Sequence, residues 1–365
     1  MRIKKLNLAI LCGGKSAEHE VSLQSAKNVF ETIDRKKYRP IVIIIDKKGR
    51  WLVNQDNKFL QQQNYQTKIK LDKNHSEVIS PADSRSRLLF LNNKKPTLKI
   101  DVVFPILHGT YGEDGTIQGL LKLADVPFVG AGVLGSAVGM DKDVMKRLLK
   151  EAGLPIGKFM VLSDYQSLPD FKKIKKELGL PFFIKPANMG SSVGISKVKN
   201  SSQYLPAIKD AFSYDNKIII EEFIDGREIE CSVLGNDNPR ASLPGEIKPS
   251  YEFYSYQAKY LDEKGAALEI PAKLSSKKTK EIQNMAIKTF QVLSCQGLGR
   301  VDFFLKKNGQ IIINEINTLP GFTQISMYPK LWAKSGLAYP QLIDKLIQLA
   351  IERHQKEKKI KTNYL

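Results

Sequence analysis

Cysteine and histidine are scarce in this sequence: three and four respectively among 365 residues. Cys12, Cys231 and Cys295 lie far apart in apolar, strand-like surroundings, which excludes a disulfide framework or a zinc spacing and makes them buried thiols of a reducing compartment. "HEVS" at residues 19–22 lacks the second histidine of a zinc-protease helix, because position 23 is leucine. No order or spacing assembles a Ser-His-Asp or Cys-His set. Long apolar runs are also missing. None approaches the roughly 18 residues of a membrane helix, so no membrane insertion is expected. In "MRIKKLNLAILCGG" the apolar run is too short for a secretion signal, Leu11 is a poor residue before a cleavage site, and the segment reads as a first β-strand. The expected location is cytoplasmic. No internal repeat or low-complexity stretch is evident.

Positive charge, by contrast, is plentiful, with a formal net charge of +19. The lysines are spread, as in "DKKGR", "NNKKP" and "SSKKTK", without interleaved aromatics or a nucleic-acid motif. Attraction for an anionic small substrate on a basic background accounts for them, and no nucleic-acid partner is expected.

The length suits two or three domains. An apolar run at residues 6–12, a helical pattern through Val21, Ala26, Val29, Phe30 and Ile33, and the run "PIVIIID" give a βαβ start and a parallel sheet. Residues 50–98 are polar and irregular and read as hairpins or loops of a peripheral insertion, and "DVVFPILHG" is the next buried strand. A helix capped by Asp141, with Val144, Met145, Leu148, Leu149 and Ala152 on one face, opens a new domain. In that domain "PFFIKPANMGSSVGISKV" is strand, glycine-rich turn, strand, and "KIIIEEFIDGREIECSVLG" is strand, short connection, strand. A helix through Ile282, Met285, Ala286 and Leu293 follows, and a last helix carries the stripe Leu342, Ile343, Leu346, Ile347, Ala350 and Ile351 behind Pro340.

Between them lies "GRVDFFLKKNGQIIINEINTLPGF". Asn308-Gly309 predicts a two-residue hairpin turn, which would set Lys307 against Gln310, Leu305 against Ile312, Asp302 against Glu315 and Arg300 against Asn317. Asp302, Glu315 and Asn317 then share one face. Facing carboxylates repel, so they either share a proton, hold a hard divalent cation through oxygen ligands, or sit at a solvated strand end. Lys185, before the glycines of "PANMGSSVG", suits phosphate binding beneath a β-hairpin flap, although the order is not that of a Walker loop. Lys142 at a helix N-terminus could add a phosphate contact. The segment Glu221, Glu222, Phe223, Ile224 offers backbone groups and a carboxylate that can read adenine, and Glu228 could take ribose hydroxyls; an ordinary acidic loop is the alternative. His108 follows a buried strand, where open α/β sheets bind ligands.

Taken together, "GGKSAEHEVSLQSA", "LHGTYGEDGTIQG", "MDKDVMKRLL", "KPANMGSSVGISKV", "YEFYSYQAKY" and the hairpin resemble the D-alanine–D-alanine ligase family over nearly the whole chain. The resemblance implies an α/β ATP-grasp fold. An N-terminal Rossmann-like domain would span 1–130, a central subdomain with the flap 131–222, and a C-terminal subdomain with the metal hairpin and an omega loop 223–365. It also implies ATP-dependent joining of two D-alanines through an acyl phosphate, for peptidoglycan precursor synthesis, by a homodimer. Lys142, Lys185, Ser192 and Lys259 would hold the ATP phosphates, Glu221 to Ile224 with Glu228 the adenosine, and Asp302, Glu315 and Asn317 two Mg²⁺ ions, with Mn²⁺ as a substitute. Glu18 would pair with the ammonium of the first D-alanine within a set including Ser191 and Tyr260, and His108 and Glu113 would line that pocket. Arg300 and the Gly321 N–H would stabilise the oxyanion, Ser326 would bind the second carboxylate, and the loop at 250–262 would exclude water. Tyr260 favours the dipeptide over D-alanyl-D-lactate. Outside this resemblance stand a basic nucleic-acid binder and a different ATP-grasp carboxylate ligase.

Overall fold

The first apolar run forms β1 (Leu6–Gly13), buried at its centre, and α1 (His19–Thr32) returns the chain to a parallel neighbour, β2 (Tyr38–Ile45). The computed structural model describes residues 5–53, 76–80, 87–90, 97–249, 266–323 and 325–361. Strands β3 (Trp51–Val53), β4 (Ser76–Ile79), β5 (Arg87–Phe90) and β6 (Leu98–Lys99) extend β2 in antiparallel steps, so the described parts of the insertion lengthen the sheet. Strand β7 (Val102–Ile106) closes the other side of β1 in parallel, giving the order β6-β5-β4-β3-β2-β1-β7 among the described residues. The parallel reading therefore holds for β2, β1 and β7, and the sheet as a whole is mixed.

Helices α2 (Thr116–Leu123), α3 (Val133–Met140) and α4 (Lys142–Glu151) lead into a four-stranded antiparallel sheet. Its strands are β8 (Phe159–Ser163), β9 (Phe182–Pro186), β10 (Ser196–Val198) and β11 (Lys217–Glu222), ordered β10-β9-β11-β8. Helices α5 (Phe171–Leu178) and α6 (Tyr204–Phe212) cover it, through Ile174, Leu178, Ala207 and Ile208 against Phe182, Ile184 and Ile218.

The third sheet comprises β12 (Gly226–Gly235), β13 (Arg240–Ala241), β14 (Gly245–Pro249), β15 (Ala266–Glu269), β16 (Gly297–Lys306) and β17 (Ile311–Asn317). Helix α7 (Ser276–Val292), capped by Ser275, packs Ile282, Ala286 and Phe290 on its inner face. Strands β11 and β12 are consecutive in sequence yet belong to different sheets, so Phe223, Ile224 and Asp225 form a link between sheets. After α8 (Met327–Lys334), α9 (Tyr339–Glu357) returns to the first sheet, where Leu342, Ile343, Leu346 and Ile347 share one core with Leu8, Ile10, Val42 and Phe104.

Candidate active site

The β16–β17 hairpin carries two local differences from its predicted geometry, and they cancel. Lys306 N–H bonds the Gln310 carbonyl at 2.9 Å, so the loop holds three residues, Lys307 to Gly309, with Gly309 at φ +84°. Leu305 consequently faces Ile311 and not Ile312. A three-residue loop with glycine in the left-handed region is the next most common hairpin after the two-residue one. A β-bulge at Asn314 then restores the register. Asp302 faces Glu315 and Arg300 faces Asn317, as the turn predicted. The bulge also turns the Asn314 carbonyl to Lys146 Nζ, 3.4 Å away.

This hairpin forms one wall of a cavity of about 790 Å³ between the second and third sheets, which also reaches the ends of β7 and α1. Every predicted site residue within the described region lines it: Glu18, His108, Glu113, Lys142, Lys185, Ser191, Ser192, Glu221, Glu222, Phe223, Ile224, Glu228, Arg300, Asp302, Glu315, Asn317, Gly321 and Ser326. Lys259 and Tyr260 lie outside the described residues.

Helix α4 supplies two of the cations, Lys142 and Lys146. Asp141 caps it, accepting from the backbone N–H groups of Asp143 and Val144, and pairs with Lys217 at 2.6 Å. The buried face of α4 differs from the predicted stripe: Leu148 is 38% exposed, whereas Lys142 and Lys146, four residues apart, are buried. Lys142 Nζ donates to the Met189 carbonyl at 2.6 Å and stands 3.9 Å from Glu315. Lys146 is 2.9 Å from Glu221, which also pairs with Lys185. Burial opposes ionisation of Glu221, but Lys146 and Lys185 overcome it and hold the carboxyl down at about 2. Burial lowers the Lys142 ammonium below its ordinary value, against the pull of Glu315. The Glu221 carboxylate is thus engaged by lysines. Beyond it Phe223 packs on Phe183, centroids 6.2 Å apart, with Lys197 4.6 Å over its ring.

The glycine-rich flap between β9 and β10 crosses to the first sheet. Ser191 and Ser192 hold φ +50° and +62°, a strained pair for non-glycine residues. From that turn the Ser191 hydroxyl donates to Glu18. Beside it the His108 ring bonds the Leu319 carbonyl through Nδ1 at 3.0 Å. A carbonyl only accepts, so Nδ1 carries the proton and Nε2 accepts from Ser25, 3.3 Å away. Burial pushes the imidazole below its ordinary value despite Glu18, and the ring stays neutral. Glu113 accepts from Gly109 N–H at 2.9 Å, and burial together with the Glu18 charge raises its carboxyl to about 8.

At the far end Ser326 Oγ accepts from Thr323 N–H at 2.9 Å and lies 2.7 Å from the Thr323 hydroxyl. A β-carbon at Gly321 would come within 2.9 Å of that Ser326 oxygen, so a side chain there would displace the Ser326 hydroxyl. Asp302 accepts from Arg300 Nε and Nη2, both at 2.7 Å, and from Asn317 Nδ2 at 3.1 Å. Glu230, which faces Asp302 from β12, is 2.8 Å from Arg300 Nε. Lys146 and Glu230 escaped the sequence reading. Their signals were helical spacing from Lys142 and strand alternation from Glu228.

A glycine-rich hairpin from one sheet, an acidic hairpin from a second, and buried lysines between them define an ATP-grasp enzyme, here joined to a Rossmann-like first sheet. Residues 7–131 match the family model described as the D-ala D-ala ligase N-terminus, and residues 148–348 match the D-ala D-ala ligase C-terminus. The D-alanine--D-alanine ligase of Oceanobacillus iheyensis is 53% identical over 98% of this chain and 99% of the relative, and D-alanine--D-alanine ligase A of Salmonella typhimurium is 50% identical over 98% and 99%. Among solved structures, the D-alanine-D-alanine ligase from Coxiella burnetii superposes with a TM-score of 0.87 at 41% identity, covering 97% of this chain and 96% of that one. The VanG D-Ala:D-Ser ligase from Enterococcus faecalis does so at 0.85 and 38%, covering 95% and 100%. The chain belongs to the D-alanine–D-alanine ligase family.

Proposed function

We propose that this enzyme joins two D-alanines into D-alanyl-D-alanine with ATP as co-substrate, as a homodimer, and that the residues lining the cavity divide the work. A carboxylate is a poor electrophile. The carboxylate oxygen of the first D-alanine therefore attacks the γ-phosphorus, ADP leaves, and an acyl phosphate remains. Lys142, Lys185 and Ser192 bind the phosphates, and the link from Glu221 to Ile224 with Glu228 holds the adenosine. Asp302 and Glu315 with the Asn317 amide oxygen, left open because its nitrogen donates to Asp302, form a hard-oxygen set that fits Mg²⁺. Bound there as two ions, Mg²⁺ would neutralise phosphate charge as a Lewis acid.

Glu18 orients the first ammonium, itself fixed by Ser191 and backed by neutral His108 and by Glu113. The amine of the second D-alanine then attacks the acyl carbon and phosphate leaves. Arg300 and the Gly321 N–H stabilise the oxyanion of that step, each contact worth about 3–4 kcal/mol, while Ser326 holds the second carboxylate. Lys259 and Tyr260 belong to the same assignment.

The observation carrying this reading is the facing pair Asp302–Glu315, with Lys142 beside it, across a cavity from Glu18. ADP release by the purified protein with MgATP tests it. Release that depends on D-alanine, with D-alanyl-D-alanine as product, is expected, and L-alanine or D-lactate should give little. ADP release that requires some other acid or acceptor would refute the substrate assignment.

A further inference from the structure

Glu230, Asp302 and Glu315 face one another across β12, β16 and β17, so three carboxylates form one row along the cavity wall. Like charges directly opposed across strands destabilise a sheet, and each needs a counter-charge. Lys142 stands near Glu315, and the Arg300 guanidinium reaches both of the others. Arg300 presents Nε and Nη2 to both oxygens of Asp302 at 2.7 Å, while its Nε is also 2.8 Å from Glu230. Glu230 is buried, and its side chain is more enclosed than that of Arg300 or Asp302.

The proposed reaction asks two things of this cluster that compete. Asp302 is to give oxygen to a divalent cation, and Arg300 is to remain in the wall for the oxyanion of the second step. A carboxylate whose two oxygens both accept from one guanidinium is a weaker cation ligand. A buried guanidinium that loses a close anionic partner is costly. Glu230 removes the conflict because it is a second, enclosed anion on the same guanidinium. We propose that Glu230 is a positioning residue: it keeps Arg300 in place and neutralised, so that Asp302 is released to the cation. The inference rests on the ligase reading for the role of Arg300, and on geometry alone for the competition at Asp302.

Two readouts follow. In Glu230→Gln the guanidinium loses the closer hold of Glu230 and leans more on Asp302, so the affinity for Mn²⁺ measured by electron paramagnetic resonance in the presence of ADP, without D-alanine, should fall about tenfold. Arg300 drawn toward Asp302 also serves the second step less well. Water then competes for the acyl phosphate: its oxygen bonds to the acyl carbon, the carbon–oxygen bond to phosphate breaks, and D-alanine and phosphate are released. The ratio of ADP to dipeptide should therefore rise above one. Glu230→Asp, which keeps the charge on a shorter arm, should recover part of both.

A Glu230→Gln protein that melts earlier but keeps its Mn²⁺ affinity and a ratio of one would overturn the assignment and leave a structural ion pair. Should Glu230→Gln fail to fold, the same two quantities in Glu230→Asp decide, and wild-type values there would overturn it too. A wild-type protein inert toward D-alanine would instead refute the ligase reading, while the Mn²⁺ measurement would still stand.

Discussion

Glu113 and Glu221 share one cavity and titrate in opposite directions. Burial opposes the charge of both; Glu113 then meets the carboxylate of Glu18, whereas Glu221 meets Lys146 and Lys185. Glu221, held near 2 against an ordinary 4.5, contributes stability that is present above pH 4.5 and lost as pH falls toward 2. Glu113, raised from 4.5 to about 8, has the reverse sign: its contribution is complete below 4.5 and lost as pH rises through 8. Glu113→Gln, which keeps an acceptor for Gly109 N–H and cannot ionise, should flatten the decline in melting temperature between pH 5 and 8. It should also raise the value at pH 8 by about a few degrees, read by differential scanning fluorimetry. An unchanged slope would place Glu113 outside this linkage. The helical spacing of Lys146 from Lys142 was a weak signal for a related reason: lysines are almost never fully buried unless paired, and nothing in "MDKDVMKRLL" shows that its partner lies on a strand 75 residues away.

At the scale of the element, local chemistry was read well and sheet membership was not. Asp141 is a strong helix cap on sequence grounds and caps α4 as predicted, while its pairing with Lys217 brings the flap base, β11 and α4 to one point. Asp141→Ala should cost about 1–2 kcal/mol in urea denaturation. It should also raise the KM for ATP, since Lys142 begins the same turn; a stability loss with an unchanged KM would confine Asp141 to folding. The hairpin shows why a correct pairing can come from an incorrect turn. Loop length and bulge each shift the register by one, in opposite senses, and period-two alternation sees only the sum. The separation of β11 from β12 into two sheets left no mark on the sequence, because a three-residue link reads alike whether its strands pair or part.

Across the whole molecule, α9 completes a core begun by β1. Its Leu342, Ile343, Leu346 and Ile347 are buried on the first sheet, and Arg353 donates to the carbonyls of Phe128, at 2.8 Å, and of Gly130 while stacking on the Phe128 ring. Burying one such aliphatic side chain is worth about 1.5–3 kcal/mol, so these four together contribute roughly 6–12 kcal/mol. That is comparable with the roughly 5–15 kcal/mol net stability of a protein. A chain ending before Tyr339 should therefore be recovered as insoluble or protease-sensitive material, and a soluble truncated chain with native circular dichroism would contradict this. The apolar stripe of α9 was plain in the sequence; the surface it covers was not, because the stripe does not specify its partner. The seam also sets an order of events during synthesis. At about 5–20 residues per second, β1, β2 and β7 leave the ribosome tens of seconds before the helix that seals them. The second sheet, whose core is drawn from residues 160–220, meets its own covering helices without that delay. The middle of the chain can thus mature first, while the beginning must be kept from aggregating until the end arrives.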